Sequence, residues 1–432
     1  MTTIESFDPA SLEARTDPWE FYRWLRDEHP IYYIEKYDMW FISRFEDIWI
    51  TMADTTLPLY GREVTHMRTS QLLVTNNGNV PPNRVAQLPG FPNVDSPDQG
   101  ALRGLVNQPF RPGSVRKLED WFRDMVRSEL PDVLAQGYFN LTEALGRWST
   151  RTMCRIAGID ESMGPRVREL VNDASDQTGD PTREFDATGM GELYGLLVST
   201  VAGRRAAGAD GSLPFIDKAI KTGFQGREMT DVEITNQLMT PLVGGVETVP
   251  KVTAHGLWEL AVHPDQLAAV RSDLASNASK AFEEAARFCG PAQSFHRTVT
   301  ERVEVLGQVL EPGQRVGFLT ASAGRDPRVF TDPDEFRWDR PIERTLAFGQ
   351  GDHFCMGTHL ARMEGRIMIE EFLAAVSDYE IDEANARRTK STFQQGWDYL
   401  PVTIKSYRDA DGVEQRPAGR TPVQGNDNED QR

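Results

Sequence analysis

The chain has 432 residues, of which 26% are charged and 39% hydrophobic, and its formal net charge is −18. Such acidity excludes general nucleic-acid binding and favours solubility, and no run approaches the roughly 18 apolar residues that span a bilayer. Three widely separated cysteines, Cys154, Cys289 and Cys355, supply neither a disulfide framework nor a zinc-finger spacing, so a reducing cytoplasm is the expected location. The start, MTTIESFDPASLEARTDPWEFYRWL, reads as neither a signal peptide nor a membrane anchor.

Helical spacing or composition runs through segments 18–28, 101–107, 115–136, 140–157, 164–174, 188–205, 231–262, 264–276, 279–288 and 357–377. Short β-branched or aromatic runs bounded by turn residues predict strands at Ile31–Ile34, Met39–Ile42, Val303–Val305, Arg315–Leu319 and Val402–Lys405. A mainly α chain with a small β-rich part is therefore expected. From about Leu59 to Val94 the chain is rich in Asn, Pro and Gly; loops of that length in compact domains are usually functional, and we read this one as a lid facing a substrate. No Pro/Gly/Ser-rich linker divides the chain, and the polar residues from Arg408 onward lack apolar periodicity. The expected organisation is one domain over 1–407 followed by a disordered tail over 408–432.

Three segments carry chemistry. In Pro241-Leu242-Val243-Gly244-Gly245-Val246-Glu247-Thr248-Val249-Pro250, paired glycines cost a helix about 1 kcal/mol each, a cost easier to understand if something must approach the backbone. Each proline removes an N–H donor, freeing the carbonyls of Gln237 and Val246. The segment is either two helices separated by a turn or one kinked helix whose Val246 carbonyl, with Thr248, anchors water. Glu284 and Arg287 share one helical face, as a solvated surface pair or as part of something buried. Finally, Phe348-Gly349-Gln350-Gly351-Asp352-His353-Phe354-Cys355-Met356-Gly357 sets a cysteine in a glycine-opened loop before a helix. Free N–H groups at a helix start stabilise a thiolate; the plainer alternative is a buried structural cysteine beside a turn.

The pattern Phe-Gly-x-Gly-x-His-x-Cys-x-Gly resembles the haem-binding loop of the cytochrome P450 superfamily of haem-thiolate monooxygenases, and the resemblance covers nearly the whole chain. It implies one domain in which haem b, iron protoporphyrin IX, lies between a long oxygen-side helix and the cysteine loop, as in soluble bacterial members. Cys355 would be the metal ligand, its thiolate pushing electron density onto iron. Phe348 would pack near the sulfur, Gly349, Gly351 and Gly357 would shape the loop, and His353, Arg297 and Arg103 would meet the haem propionates. Arg297 also fits a strand surface. Gln99 stands where a histidine is common and would donate one neutral hydrogen bond. The segment from Leu242 to Thr248 resembles the family's oxygen-side signature. Gly244 and Gly245 would leave room for dioxygen, Thr248 would hydrogen-bond to reduced dioxygen or hold a water, and Glu247 would exchange protons with solvent, making these last two the catalytic candidates. Asp326-Pro327 and Phe336-Arg337-Trp338-Asp339-Arg340 follow in the family's order, so the resemblance turns Glu284, Arg287 and Arg340 into a buried structural network.

The resemblance also places substrate among Leu72, Leu73, Val74, Leu242, Val243, Val246, Phe295, Phe393 and Trp397, each of which equally fits core packing. A small to medium apolar molecule, aromatic or terpenoid, is implied, to be hydroxylated or O-dealkylated with O2. No Cys cluster or fused reductase segment is present, so electrons would come from a ferredoxin and its NAD(P)H-dependent reductase. Arg103, Arg111, Arg116, Lys117 and Arg123 form a basic run that reads as a ferredoxin dock or as a solvated basic face. Two other classes are a peroxygenase driven by hydrogen peroxide and a haem-binding sensor without turnover; the Glu247–Thr248 pair counts against both.

Overall fold

The computed structural model describes residues 6–60, 88–179, 188–409 and 412–417. Helices dominate it, and each helix predicted from spacing is present, with ends shifted by a few residues. One of these shifts has a local cause. Asp273 caps a helix over Leu274–Cys289, accepting from the Ser276 amide, so the preceding helix stops at Ser272. Helices over Phe45–Ala53 and Pro214–Thr222 lie outside the segments expected from patterning. No helix among the described residues is long and apolar enough to cross a membrane.

The strands form a side layer. A five-stranded sheet runs in the order Ile31–Ile34, Met39–Ile42, Arg315–Phe318, Phe295–Val299 and Leu59–Tyr60. Only the pairing of Met39–Ile42 with Arg315–Phe318 is parallel. In the second sheet the strand Pro401–Arg408 pairs antiparallel with Tyr138–Asn140, Val376–Ile381 and Glu414–Gln415. That last pairing puts Arg408, the first residue of the stretch expected as a tail, in a strand paired with Glu414. Residues 418–432 lie outside the described residues.

A helix over Asp231–Val262 is the axis of the molecule. It starts at a capping box in which the Glu233 amide donates to Thr230 and the Thr230 amide to the Glu233 carboxylate. Its buried face, including Leu238, Leu242, Val246, Leu257 and Leu260, joins the main hydrophobic cluster. The helices Leu141–Ala157, Leu274–Cys289 and Thr358–Ala375 contribute to the same cluster. The expected lid lies largely outside the described residues, over 61–87. Its exit is pinned to the axial helix: the Phe91 amide donates to Gln237 at 2.8 Å, and Asn236 and Gln237 donate to the Leu88 and Pro89 carbonyls, each at 2.9 Å.

Candidate active site

The cysteine loop is built by backbone geometry. Gly349 and Gly351 both have φ of 70°, a region that side chains rarely adopt. A Cβ on Gly351 would also lie 2.7 Å from the Met52 carbonyl oxygen. Gly357 has ordinary φ, −83°, and a Cβ there would sit 3.9 Å from the Cys355 sulfur, an ordinary contact, so neither backbone angle nor protein packing demands glycine at this position. The Cys355 amide donates to the Phe348 carbonyl at 2.8 Å and the Thr358 hydroxyl to the Cys355 carbonyl at 2.8 Å, fixing the residue ahead of the helix Thr358–Ala375. Cys154 and Cys289 are buried, whereas Cys355 carries exposed surface. Burial nevertheless pushes the Cys355 thiol up, while the Gly357 amide, Thr358, Arg103 and Arg362 pull it down. Both hold for a thiol facing a space inside the protein, and binding a metal there would release the proton. The Arg362 guanidinium lies 4.8 Å over the Phe348 ring.

Arg103, Arg297 and His353 converge from a helix over Asp98–Val106, the strand Phe295–Val299 and the cysteine loop. Burial, then Arg297 and Arg103, drive His353 down to about 3 against the opposing pull of Asp352, so it is a neutral N–H donor. Burial likewise lowers Arg297 to about 10 despite Asp95. Its Nη1 donates to the His296 carbonyl at 2.8 Å, and Arg297 is 8% exposed, so it is not a strand-surface residue. A buried guanidinium, a half-buried one and an imidazole crowded together fit a group that brings carboxylates, as haem does. Gln99 has a partner within the protein. Its amide donates to the Asp352 carbonyl at 2.8 Å, beside Arg103 at 3.1 Å, while Ser96 bonds the Asp352 carboxylate. Gln99 thus fastens its helix to the cysteine loop, and Asp352, which sequence reasoning missed, is the fastening point.

On the oxygen side, the axial helix runs unbroken through Pro241 and Pro250, so two helices with a turn between them are excluded. Gly244 is exposed, and a Cβ there would meet nothing within 4 Å. Gly245 does not share that role: its Cβ would lie 2.5 Å from the Met153 sulfur, so it allows close packing on the helix Leu141–Ala157. The Thr248 hydroxyl donates to the Gly244 carbonyl at 2.8 Å. The Val246 carbonyl expected to hold water instead accepts from Arg168 at 3.3 Å. Nor is Glu247 open to solvent. It is 2% exposed and accepts from the Gln394 side chain, whose oxygen accepts from Lys251 at 2.7 Å; Lys251 pairs with Asp398 at 3.1 Å. Lys251, four residues after Glu247, was visible as a spacing; Gln394 was not.

Gln394 and Phe393 share a turn held from several sides. Ser391 accepts from both their amides at 3.1 Å, and Gln293 bonds the Ser391 and Phe393 carbonyls, each at 2.6 Å. The Phe393 and Phe295 rings meet edge-on at 5.8 Å, half-buried, as is Val243. Those three suit a pocket wall. Leu242 and Val246 are 0% exposed within the core, and Trp397 packs on Trp258 at 5.3 Å, so these three are core residues instead. Leu72, Leu73 and Val74 lie outside the described residues.

On the cysteine side Glu284 and Arg287 form a bidentate pair at 2.7 Å, joined by Arg340 at 3.0 Å and 3.1 Å. The Arg337 amide and the Gly324 and Pro333 carbonyls complete the set, so the pair is buried and not a solvated surface pair. The basic run divides. Arg123 is spent on Glu370 and Glu371, and Arg103 points to the cysteine loop, whereas Arg111, Arg116 and Lys117 are exposed and make no ion pair among the described residues. A groove of about 260 Å³ is lined by Arg116 and His359 and by Arg362 and Arg366, which pair there with Glu283 and Glu119.

Known proteins similar to this chain are cytochromes P450. The family model described as cytochrome P450 matches residues 204–395. Putative cytochrome P450 123 of Mycobacterium tuberculosis is 30% identical over 407 residues, covering 92% of this chain and 97% of the relative. Cytochrome P450-terp of a Pseudomonas species is 28% identical, covering 88% and 92%. The solved structure of cytochrome P450 CYP109Q5 from Chondromyces apiculatus superposes with a TM-score of 0.77 at 25% identity, covering 92% of this chain and 98% of that one.

Proposed function

Because the chain belongs to the cytochrome P450 family of haem-thiolate monooxygenases, we propose that it hydroxylates or O-dealkylates a small to medium apolar molecule, drawing electrons from a ferredoxin. The observation that carries this reading is the presence in one fold of two features: a thiol-bearing loop flanked by Arg103, Arg297 and neutral His353, and an axial helix opened at Gly244 with a hydroxyl at Thr248. Haem bound at Cys355 supplies the redox chemistry that reduces O2 and inserts one oxygen atom into substrate. The chain does the rest. Arg103, Arg297 and the His353 N–H hold the carboxylates. Gly244 leaves the helix surface bare. Thr248, whose hydroxyl proton rests on the Gly244 carbonyl, presents oxygen lone pairs as acceptors and reaches the open side by rotating about χ1. Glu247 offers a carboxylate one residue away that can relay protons, and Gln394 fixes where that carboxylate sits. Phe295, Phe393 and Val243 exclude water and favour an apolar substrate.

Purified holoenzyme is expected to give the carbon-monoxide band of a thiolate haem after reduction, and Cys355→His is expected to abolish it. Turnover of an apolar panel should require O2, reductase and ferredoxin together. A band that survived the substitution, or turnover with hydrogen peroxide alone at equal rate, would sink the reading.

A further inference from the structure

Pro250 lies four residues beyond Val246 and carries no N–H, so the Val246 carbonyl has no helical donor. A buried carbonyl left without one costs about 1–3 kcal/mol. The partner it finds comes from another helix, Gly164–Gly179. Arg168 Nη1 donates to Val246 at 3.3 Å, Nη2 to the Thr142 carbonyl at 3.2 Å and Nε to the Glu143 carboxylate at 2.7 Å. Arg168 is 5% exposed, so its charge is carried inward and answered by Glu143. The passage exists because residue 146 is glycine: a Cβ there would lie 1.9 Å from the Arg168 Cζ. Three elements therefore agree on one contact. One helix lacks a side chain at Gly146, a second sends a guanidinium through the gap, and the third lacks the amide that would otherwise compete for the carbonyl.

We propose that Arg168 is a positioning residue for the oxygen-side segment, supplying the donor that Pro250 removes, with Gly146 as the gap that admits it. Val246 stands two residues from both Gly244 and Thr248, so the bond holds the turn that carries them. Without it, water must solvate the carbonyl, and the helix opens where Thr248 and Glu247 are aimed. The catalytic consequence rests on the monooxygenase reading; the structural half does not.

A double-mutant cycle on the holoenzyme tests this, using Arg168→Met, Pro250→Ala and the pair combined. Amide exchange across residues 244–252 and thermal unfolding are read beside the share of reducing equivalents lost as hydrogen peroxide. Arg168→Met is expected to speed exchange in this segment about tenfold and to raise the peroxide share. The combined variant is expected to recover most of both, because Pro250→Ala returns an N–H to the Val246 carbonyl. Gly146→Ala, which keeps the charge but crowds the guanidinium, should move both readouts in the same direction as Arg168→Met, and serves if that variant does not fold. Losses that add in the combined variant, or exchange unchanged in both Arg168→Met and Gly146→Ala, overturn the proposal. Failure of the haem-thiolate reading itself would show separately, as a missing carbon-monoxide band in the unsubstituted protein.

Discussion

Glu247 illustrates how much one side chain depends on its neighbours. Its carboxylate, Gln394, Lys251 and Asp398 form a line from the oxygen-side helix to partly exposed Asp398. Gln394 separates a carboxylate from an ammonium and satisfies both. Gln394→Leu leaves two buried charged groups without their shared partner, which costs a few kcal/mol; we expect product formation to slow roughly tenfold with an altered pH–rate profile, and an unchanged profile would show that Gln394 only fills space. Glu364 is a different case. It is 1% exposed, accepts from Ser149 at 2.9 Å, and burial raises it from 4.5 to about 7. The folded state therefore holds a proton that the unfolded state has released, and stability falls as pH rises from about 4.5 to about 7, staying lower above that. At roughly 1.4 kcal/mol per pH unit the loss is about 3 kcal/mol. Glu364→Gln should unfold at a higher temperature than the parent at pH 8, and at nearly the same temperature at pH 5.

At the scale of elements, adjacent glycines in the axial helix do unlike work. Gly245 lies against Met153, and Gly244 against nothing. Gly245→Val should destabilise by about 1–3 kcal/mol through overpacking. Gly244→Ala should stabilise by up to about 1 kcal/mol, while slowing carbon-monoxide rebinding because the methyl stands on the open side. Thermal unfolding and flash photolysis separate the two, and equal stability losses would mean that both glycines face Met153. Pro250 is tolerated mid-helix for the reason given by Arg168, since a missing amide is harmless where a side chain replaces it.

Across the whole molecule, charge is sorted. Against a net charge of −18, Arg111, Arg116 and Lys117 remain exposed beside a groove that also presents Arg362 of the helix following Cys355. Reversing Arg116 and Lys117 together to Glu should raise the KM for an acidic ferredoxin roughly tenfold at low salt, with the difference shrinking as ionic strength rises. A salt-independent effect would point to damage of the fold instead. Surface pairs elsewhere, such as Arg166 with Glu192, matter little by comparison.

Much of this protein is determined by residues close together in the chain. The cysteine loop is legible because its requirements are local: positive φ at Gly349 and Gly351, and a sulfur placed ahead of a helix. Helical periodicity marked the long elements, since an amphipathic face is written every three to four residues. Spacing put Glu284 and Arg287 on one face; Arg340 and burial came from the fold. Tertiary structure alone decided the fates of Gln99, Val246, Gly245 and Glu247. Each sequence position announced a need, such as a donor without an acceptor, a carbonyl without an amide, or a carboxylate inside. The group that answered lay 253, 78 and 147 residues away for Gln99, Val246 and Glu247. Local chemistry states which groups must be satisfied on burial, whereas only the packing of distant helices brings a particular partner within hydrogen-bond distance.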